Sequence, residues 1–311
     1  MNEIRITFSD GELMTFPAVE QLSVLAAAEK AGNILAHSCR NGTCRTCAGS
    51  KPDGTEAFLC ITPSEAGFEV TVPYRRSDIV PPTVRKAKIN GFQKLSQSVW
   101  EIRYRLQFPL PFLPGQYVEV TFPGIDAPRR FSMANCPAEK EQVLHVRDLP
   151  GGAMSDYLNG RAKPEDGFSV KGPFGVFYLR AVPRPRLFVA GGTGLAPIMA
   201  MLRSMDVAAT TRPMALVAGS ATVNDIYGVN DLKELSTRLP LELIISAASA
   251  PGEWSGIIGN PVEAISNVRT VSFDCDTEAY LCGPPGMVQA ARERLCALGL
   301  LDENIFNEVF S

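Results

Sequence analysis

Residues 187–197 read LFVAGGTGLAP, and this stretch determines the fold class of the last third of the chain. Four apolar residues run directly into the sequence GGTG at 191–194, and a helical pattern then continues to Met205. Glycines between a strand and a helix let the backbone approach a pyrophosphate, and the helix N-terminus adds free N–H groups. The stretch therefore predicts a nucleotide-binding α/β unit, with a tight structural turn as the alternative on these residues alone.

The same alternation of short apolar strands and helical stretches continues through residues 186–311, which predicts a parallel sheet. Further strands are expected at 215–218, 241–245 and 279–282. The last of them ends in Cys282-Gly283-Pro284, so a thiol lies at the carboxyl end of a parallel strand. Open α/β sheets bind their ligands at that edge. A buried cysteine that only packs the sheet is the alternative.

Upstream, residues 83–183 contain many short runs in which apolar and polar residues alternate, separated by glycine and proline turns. Clear examples lie at 83–89, 99–106, 117–122 and 143–146. Alternation with a period of two is typical of strands with one buried face, and short strands between frequent turns indicate an all-β arrangement. This part is therefore predicted to be an antiparallel sheet or barrel.

Two short patterns in this middle part are suited to a cofactor that carries phosphate. The first is Arg-Arg-Phe-Ser at 129–132, since an arginine beside an aromatic residue and a serine can hold a phosphate and stack on a flat ring. The second is Gly-Gly-Ala-Met-Ser at 151–155, where a helix is expected to begin. Taken singly, each is better explained by a β-turn or a solvated arginine. The prediction of a phosphate-bearing cofactor therefore depends on the order of these patterns along the chain.

The first part of the chain, residues 1–78, opens with an alternating strand at 4–8 and a second strand at 13–16, continues with a helical pattern at 21–31 and closes with a strand at 68–72. A polar linker and two prolines follow it. Between the helix and the closing strand lies the sequence SCRNGTCRTC, residues 38–47, with the spacing C-x4-C-x2-C. Three cysteines in nine residues indicate a disulfide knot, a zinc site or an iron–sulfur cluster.

Composition excludes several classes of function. The net charge of −3 and the pI of about 5.6 argue against a nucleic-acid-binding protein. The N-terminus lacks a basic start followed by an apolar run, and no stretch approaches 18 apolar residues, so we expect no signal peptide, no membrane span and a cytoplasmic location. A reducing compartment disfavours disulfides, and the isolated Cys136, Cys275 and Cys296 are expected to be buried thiols.

The chain contains two histidines, His37 and His145, and they lie in different predicted domains. A Rieske centre needs two histidines and two cysteines close together, and a mononuclear iron oxygenase site needs two histidines and a carboxylate. Neither site can be assembled from these residues. Both histidines are therefore expected to be structural, and any oxygen chemistry is expected on a separate protein.

Taken together, the patterns resemble a known family. The motifs at 129–132, 151–155, 191–197 and 282–284 occur in the order found in the ferredoxin–NADP reductase superfamily. The N-terminal C-x4-C-x2-C resembles a plant-type ferredoxin. The whole chain is similar to the one-chain reductase components of bacterial multicomponent oxygenases, and the phrases FSMANCP and LHVRDLPGG are most similar to reductases of Rieske-type aromatic-ring dioxygenases.

This resemblance implies a multi-domain α+β and α/β fold. A β-grasp [2Fe–2S] ferredoxin domain is expected at 1–78, an antiparallel β-barrel FAD domain at 83–183 and a Rossmann-like parallel α/β NAD domain at 186–311. It implies an NADH-dependent oxidoreductase that passes electrons from NADH through FAD and [2Fe–2S] to a terminal oxygenase or its ferredoxin. The open alternatives are an electron supplier to a di-iron monooxygenase or a deoxysugar dehydrase, a plain flavin reductase, and a redox-sensing module without turnover.

The resemblance also implies roles for individual residues. The cofactor-binding residues are expected to be Arg129, Phe131, Ser132, Gly151, Gly152, Ala153, Met154 and Ser155 for the flavin, and Gly191, Gly192, Thr193, Gly194, Cys282, Gly283 and Pro284 for the nicotinamide dinucleotide. The catalytic residues are expected to be Ser132, Cys282, Glu308 and Phe310. Phe310 is expected to cover the flavin ring, with a core anchor for the terminus as the alternative. NADH is expected over NADPH because residues 219–225 contain no arginine for a 2′-phosphate.

The cysteine cluster needs a fourth thiolate, and Cys60 is the one remaining cysteine in the first part. The predicted cluster ligands are Cys39, Cys44, Cys47 and Cys60. Thiolates at this spacing favour [2Fe–2S], whereas zinc would prefer two C-x2-C pairs. Two features depart from the family pattern. The gap between Cys47 and Cys60 is short, at 12 residues, and Arg45 stands where glycine is usual. The positive charge of Arg45 is expected to raise the reduction potential of the cluster or to contact an acidic partner protein.

Overall fold

The computed structural model describes residues 2–250 and 254–310, and it divides into two compact units. The first unit comprises the chain up to Pro82 together with Phe174–Phe177, and the second comprises Thr83–Pro173 and Tyr178–Phe310. The predicted barrel and α/β parts therefore lie mainly in one unit, and the domain limits given above stay predictions. None of the helices in the described part of the chain has the length and apolar character that crossing a membrane requires.

The first unit is a mixed sheet with one helix. Its strands are β1 (Glu3–Thr7), β2 (Leu13–Pro17), β3 (Ala48–Ser50), β4 (Glu56–Phe58) and β5 (Glu69–Thr71), in the sheet order β2-β1-β5-β3-β4. β1 pairs antiparallel with β2 and parallel with β5. The helix α1 (Val24–Lys30) buries Val24 and Leu25 in the same core as Ile4 and Ile6. This arrangement is the predicted β-grasp fold.

Helix α1 is shorter than the helical pattern at 21–31. Gln21 has a φ of 64°, which is incompatible with a right-handed helix, and Ser23 caps the helix by accepting a hydrogen bond from the N–H of Ala26 at 3.2 Å. The alanine-rich composition extends the helical pattern beyond the residues that are actually helical, because it contains no signal for the cap.

The second unit begins with an antiparallel sheet. Its strands are β6 (Thr83–Ser96), β7 (Val99–Leu106), β8 (Tyr117–Thr121), β9 (Arg129–Ser132), β10 (Gln142–Arg147) and β11 (Gly167–Phe174), in the order β10-β7-β6-β11-β8-β9, with helix α2 (Ala153–Gly160) between β10 and β11. A bridge between Met133 and Leu144 brings the two edge strands together, so the sheet curls into a barrel. Its interior is apolar and includes Ile102, Tyr104 and Val118.

The rest of the second unit is a parallel sheet flanked by helices. The strands are β12 (Arg186–Gly191), β13 (Met214–Thr222), β14 (Leu241–Ser249), β15 (Ile257–Ile258), β16 (Glu278–Gly283) and β17 (Ile305–Val309), and the helices are α3 (Leu195–Arg203), α4 (Val229–Arg238), α5 (Pro261–Ala264) and α6 (Pro285–Leu298). The strand order is β15-β14-β13-β12-β16-β17. The order reverses between β12 and β16, which places a ligand-binding switch point at the carboxyl ends of these two strands.

Two expectations differ from the structure. The isolated thiols are not uniformly buried: Cys275 and Cys296 are exposed and Cys136 is half-buried, so that prediction was wrong. Cys275 lies in the loop before β16, and the Cys296 thiol donates to Asp302 Oδ1 at 3.6 Å from an exposed position of α6. The sequence patterns also did not predict β17, the edge strand that carries Glu308.

Candidate functional site

Four thiols of the first unit come together in two pairs. In the first pair, the N–H of Cys39 donates to Cys44 Sγ at 3.4 Å, and the N–H of Cys44 donates to Cys39 Sγ at 3.3 Å. In the second pair, the Cys47 and Cys60 side chains share a hydrogen bond, and Cys44 acts electrostatically on Cys47. All four predicted ligands are therefore neighbours, although Cys60 comes from a separate segment of the chain.

The loop conformation aims hydrogen-bond donors at the outer sulfur. Gly42 has a φ of 81°, and the N–H of Asn41 donates to Cys39 Sγ at 3.5 Å. Partial burial opposes ionisation of Cys39, but hydrogen bonds from the Asn41 and Cys44 N–H groups and the Thr43 hydroxyl outweigh it and lower the pKa of Cys39 to about 6. Donors of this kind stabilise a thiolate, the form that binds metal.

The four thiols fit a two-iron cluster. Among residues 2–250 and 254–310, no three side chains of histidine, cysteine, aspartate or glutamate surround one ion position, and the four thiols form two pairs instead. Two thiolates on each of two irons is the ligation that a [2Fe–2S] cluster takes. Cys39 with Cys44, and Cys47 with Cys60, would supply these two sets of ligands.

The predicted flavin-phosphate residues lie at a strand end and a helix start. Arg129 begins β9, and its Nη1 donates to the carbonyl of Ala127 at 2.9 Å. Helix α2 follows Gly152, and no side chain caps its first turn, so those N–H groups are suited to a phosphate. Ser155 accepts a hydrogen bond from the N–H of Leu149 at 2.7 Å, which folds the turn back over the helix start.

Phe131, the aromatic residue of the predicted flavin motif, lies on β9. It is half-buried and packs against the apolar core of the barrel. A phenylalanine lacks the hydroxyl that a tyrosine would place outside that core, so its burial costs no hydrogen bond. Its contact with the flavin stays a prediction.

Ser132, Glu308 and Cys282 meet where the barrel adjoins the parallel sheet. Ser132 is the last residue of β9, and its hydroxyl donates to Glu308 Oε2 at 2.7 Å. Glu308 lies on β17 opposite Cys282 of β16 in the strand register. Each of the three is at most 7% exposed. The structure therefore brings three predicted catalytic residues into one buried cluster, although they come from three separate segments.

Burial controls the charge of this cluster. It raises the pKa of Glu308 to about 8, and the hydrogen bond from Ser132 only partly opposes this effect. Burial, together with the Glu308 carboxylate, raises the pKa of the Cys282 thiol well above its ordinary value. Near neutral pH the site therefore holds a protonated carboxyl beside a hydroxyl and a neutral thiol. This set can store and relay a proton, whereas a thiolate nucleophile is disfavoured.

The fourth predicted catalytic residue, Phe310, follows β17. Its N–H donates to the carbonyl of Gly283 at 3.1 Å, which continues the pairing of β16 with β17 by one residue. The ring is half-buried. The backbone of Phe310 is thus anchored beside the carboxyl end of β16, and its role as a cover for the flavin stays a prediction.

The dinucleotide turn requires glycines for steric reasons. A Cβ on Gly191 would lie 2.5 Å from Met287 Sδ, and one on Gly194 would lie 2.1 Å from the carbonyl oxygen of Cys282. Gly192 has a φ of 55°. Gly194 precedes α3 without a side-chain cap, so the turn presents free N–H groups at a helix start. These features fit a pyrophosphate.

The structure adds Arg147 to this site. Its Nη1 lies 3.2 Å from the position that a Cβ on Gly192 would occupy, and the side chain is exposed at the end of β10. A guanidinium over a glycine-rich turn is placed to bind a phosphate group. Arg147 was not predicted from the sequence because the contact joins a barrel strand to a turn of the parallel sheet, and its local signal is one arginine at the end of a predicted strand.

A cleft opens between the carboxyl ends of β12, β13 and β14. Its lining residues are Ala190, Gly192, Leu195, Ala218, Gly219, Ser220, Asp225, Ile226, Tyr227 and Ile245. This lining contains the Asp225 carboxylate, on which the nearby Arg147 guanidinium acts electrostatically. Asp225 is held in place, because it accepts hydrogen bonds from the Ser98 hydroxyl and from the N–H and hydroxyl of Thr222.

Tyr227, on one wall of this cleft, is linked to the barrel through His145. The two side chains share a hydrogen bond of 3.2 Å and their rings meet edge to face. Burial and the nearby Arg203 lower the pKa of His145 to about 3, so the imidazole is neutral. His37 donates through Nδ1 to the carbonyl of Leu35 at 2.9 Å. Both histidines therefore have the hydrogen-bond partners expected of structural residues.

Three family models match consecutive parts of the chain. Residues 7–65 match the 2Fe-2S iron-sulfur cluster binding domain, residues 86–178 match the oxidoreductase FAD-binding domain, and residues 188–293 match the oxidoreductase NAD-binding domain. The predicted cofactors [2Fe–2S], FAD and NADH are thereby confirmed, as is the order of the three domains.

Relatives match along the whole chain. The chain is 31% identical to the toluate 1,2-dioxygenase electron transfer component of Pseudomonas putida and 32% identical to the 2-halobenzoate 1,2-dioxygenase electron transfer component of Burkholderia cepacia, covering 100% of this chain and 98% of each relative. It is 30% identical to the phenol 2-monooxygenase reductase component of Pseudomonas sp. (strain CF600), over 93% of this chain and 89% of that relative.

Solved structures share the fold. A cytochrome P450 reductase from Amycolatopsis superposes with a TM-score of 0.76 at 24% identity, over 99% of this chain and 98% of that one. The ferredoxin reductase of carbazole 1,9a-dioxygenase superposes with a TM-score of 0.73 at 23% identity, with the same coverage of both chains. Together with the full-length relatives, these matches establish that the chain belongs to the family of NADH-dependent iron–sulfur flavoprotein reductases that serve as electron-transfer components of multicomponent oxygenases.

Proposed function

We propose that this reductase delivers electrons to the terminal oxygenase of an aromatic-ring dioxygenase, or to the ferredoxin that serves it. The observation that carries the assignment of the redox centre is the buried cluster of Ser132, Glu308 and Cys282, which lies between the predicted flavin-binding strand and the predicted dinucleotide turn. Support for the partner comes from relatives that serve toluate and 2-halobenzoate dioxygenases.

In this proposal the chain's own residues bind, orient and protect the cofactors. Bound FAD supplies the ability to take a hydride and to release electrons one at a time. Arg129 and the start of α2 would hold its phosphates, and Ser132 and Glu308 would hold a proton for the reaction. The turn at 191–194 and Arg147 would hold the NADH pyrophosphate, and Cys282 would contact the nicotinamide.

The four cysteines of the first unit would hold the [2Fe–2S] cluster, which would supply a one-electron carrier between the flavin and the partner. Cys39 and Cys60 are half-buried, whereas Cys44 and Cys47 are buried. Because the four thiols must stay reduced to bind iron, we also propose a cytoplasmic location.

A second partner class is favoured by one specific observation, the 30% identity to the reductase component of a phenol 2-monooxygenase. Both partner classes draw on the same electron path, so they differ only in the protein that docks. We infer that the dioxygenase assignment is the stronger one because the two dioxygenase relatives cover this chain completely.

The test is reconstitution with purified partners. The full chain, loaded with FAD and iron, is mixed with NADH and either a Rieske-type aromatic dioxygenase or a di-iron phenol hydroxylase, and product is measured against NADH consumed. Tight coupling with the dioxygenase supports the proposal. Coupling with the hydroxylase alone would replace the partner, and reduction of cytochrome c without coupling to either would indicate a plain flavin reductase.

A further inference from the structure

Arg45, which directly follows Cys44, holds an unusual backbone conformation for a residue with a side chain. Its φ is 61°, in the left-handed region that glycine occupies without steric penalty. The side chain leaves the cysteine loop and donates a hydrogen bond to Glu56 Oε1, and its guanidinium lies 5.6 Å from the centroid of the Phe58 ring. Both charged side chains are partly shielded, with 25% of Arg45 and 35% of Glu56 exposed.

The two contacts of Arg45 lie on the strand that leads to the last cysteine. Glu56 and Phe58 are the first and last residues of β4, and Cys60 follows two positions later. β4 pairs with β3, which begins directly after Cys47. The N–H of Leu59 also donates to the carbonyl of Cys47 at 3.1 Å. The ion pair therefore joins the turn after Cys44 to the hairpin that places Cys47 beside Cys60.

This hairpin is closed by its own short turn. The N–H of Lys51 donates to the carbonyl of Thr55 at 2.8 Å, and Asp53 accepts hydrogen bonds from the N–H and hydroxyl of Thr55 at 2.8 and 2.6 Å. The hairpin sets the distance between Cys47 and Cys60, and the N–H of Ala48 at its start donates to the carbonyl of Arg45 at 2.9 Å. A side-chain contact such as Arg45 with Glu56 can hold one thiol pair against the other.

We propose that Arg45 and Glu56 are positioning residues for the [2Fe–2S] cluster, whose ion pair holds the Cys39–Cys44 pair facing the Cys47–Cys60 pair. This inference rests on the proposed ligation by these four cysteines. Glu56 balances the charge of Arg45, so the pair contributes position and little net charge. It replaces the expectation that Arg45 alone raises the cluster potential.

The experiment uses the full chain loaded with iron, sulfide and FAD. Iron and sulfide are first measured per chain for the unmodified protein and for Cys60→Ser, which tests the ligation separately from the ion pair. Arg45→Met and Glu56→Gln are then compared for the rate at which a chelator removes the iron–sulfur visible absorption. We expect each single variant to lose the iron–sulfur absorption about fivefold faster than the unmodified protein, as for a partly shielded ion pair. The double variant should lose it no faster than either single variant.

A matched control and a rescue variant accompany these substitutions. Glu69→Gln breaks the Arg5–Glu69 ion pair between β1 and β5, whose side chains are 47% and 45% exposed, and should leave the loss rate unchanged. The exchange Arg45→Glu with Glu56→Arg restores an ion pair and should recover most of the cluster lifetime. If the single variants take up no cluster, iron and sulfide per chain in the exchanged variant decide the question in the same way.

Three results would overturn the proposal. The first is that both single variants lose the cluster at the rate of the unmodified protein. The second is that the effects of the two substitutions on this rate add up in the double variant. The third is a Glu56→Gln protein with an unchanged cluster lifetime and a shifted reduction potential, because the pair would then act through charge. A Cys60→Ser protein that keeps its full iron content would instead refute the ligand set, whatever the ion-pair variants show.

Discussion

The hydroxyl of Ser132 donates a hydrogen bond of 2.7 Å to Glu308 Oε2 across 176 positions of sequence. The barrel supplies the hydroxyl at the end of β9, and the parallel sheet supplies the carboxyl from its edge strand. Because both residues are buried, the proton in this hydrogen bond is shielded from bulk water. The pair therefore couples the two halves of the second unit at the point where the proposed chemistry takes place.

Removing the hydroxyl should slow the reaction that this pair supports. In Ser132→Ala we expect the rate of flavin reduction by NADH to fall about tenfold, since the loss of one buried hydrogen bond is worth ~1–1.5 kcal/mol. Anaerobic stopped-flow absorption at the flavin band measures this rate. Ser236→Ala, whose hydroxyl donates within α4 to the carbonyl of Lys233, is the matched control. An unchanged rate in Ser132→Ala would remove the serine from the catalytic set.

Glu308 should make stability depend on pH in a specific window. Its folded pKa of about 8 lies above the ordinary value of 4.5, so between these values the folded protein binds a proton that the unfolded chain has lost. Stability therefore falls as pH rises from about 5 to about 8 and levels off above that. The melting temperature of Glu308→Gln minus that of the unmodified protein should increase as pH rises across this window. Calorimetry at a series of pH values measures this difference. A constant difference would show that Glu308 titrates normally.

Arg147 should bind NADH and leave the flavin unaffected. We expect Arg147→Ala to raise the KM for NADH about tenfold, because a charge-assisted contact with phosphate is worth roughly 1.5 kcal/mol. The flavin content, read from the visible spectrum, should not change. Arg103→Ala, on the exposed face of β7 and paired with Glu101, is the control. If Arg147→Ala lost its flavin, the arginine would be assigned to the FAD site and no longer to the NADH site.

Asp225 should disfavour NADPH. The carboxylate lines the cleft beside Ser220, and like charge repels a 2′-phosphate there. Asp225→Asn keeps the shape of the side chain and removes its charge, so we expect kcat/KM for NADPH to rise about tenfold while that for NADH changes little. Steady-state ferricyanide reduction with each coenzyme gives both values. Equal rates with NADH and NADPH in the unmodified protein would contradict the preference itself.

The parts of the fold that follow a regular burial pattern were predictable from sequence. The alternating run at 99–106 corresponds to β7, and the apolar run at 187–190 lies within β12. The run at 83–89 was predicted too short because β6 continues to Ser96 through irregular pairing after Ile89 and after Lys94. Each irregularity shifts the alternation by one residue and ends the sequence signal, although the strand continues.

The site was predictable where a motif is local, and unpredictable where tertiary contacts create it. The cysteine spacing and the glycine turns each concentrate their information within about ten residues. Strand β17 was missed because Glu308 occupies a buried position, where a glutamate contradicts an apolar strand pattern. The contact of Arg147 with Gly192 and the hydrogen bond of His145 with Tyr227 join distant residues, and no local periodicity encodes them.

The close approach of Gly194 to Cys282 has a consequence for engineering this reductase. A side chain at position 194 would meet the backbone carbonyl of Cys282 at 2.1 Å, so only glycine fits between the coenzyme turn and the cysteine strand. A chimera whose imported turn carries a side chain at this position would clash with the cysteine strand unless it also imports the strand that fits it. The two motifs thus form one exchangeable cassette, and coenzyme preference is better altered at Asp225, which lies outside it.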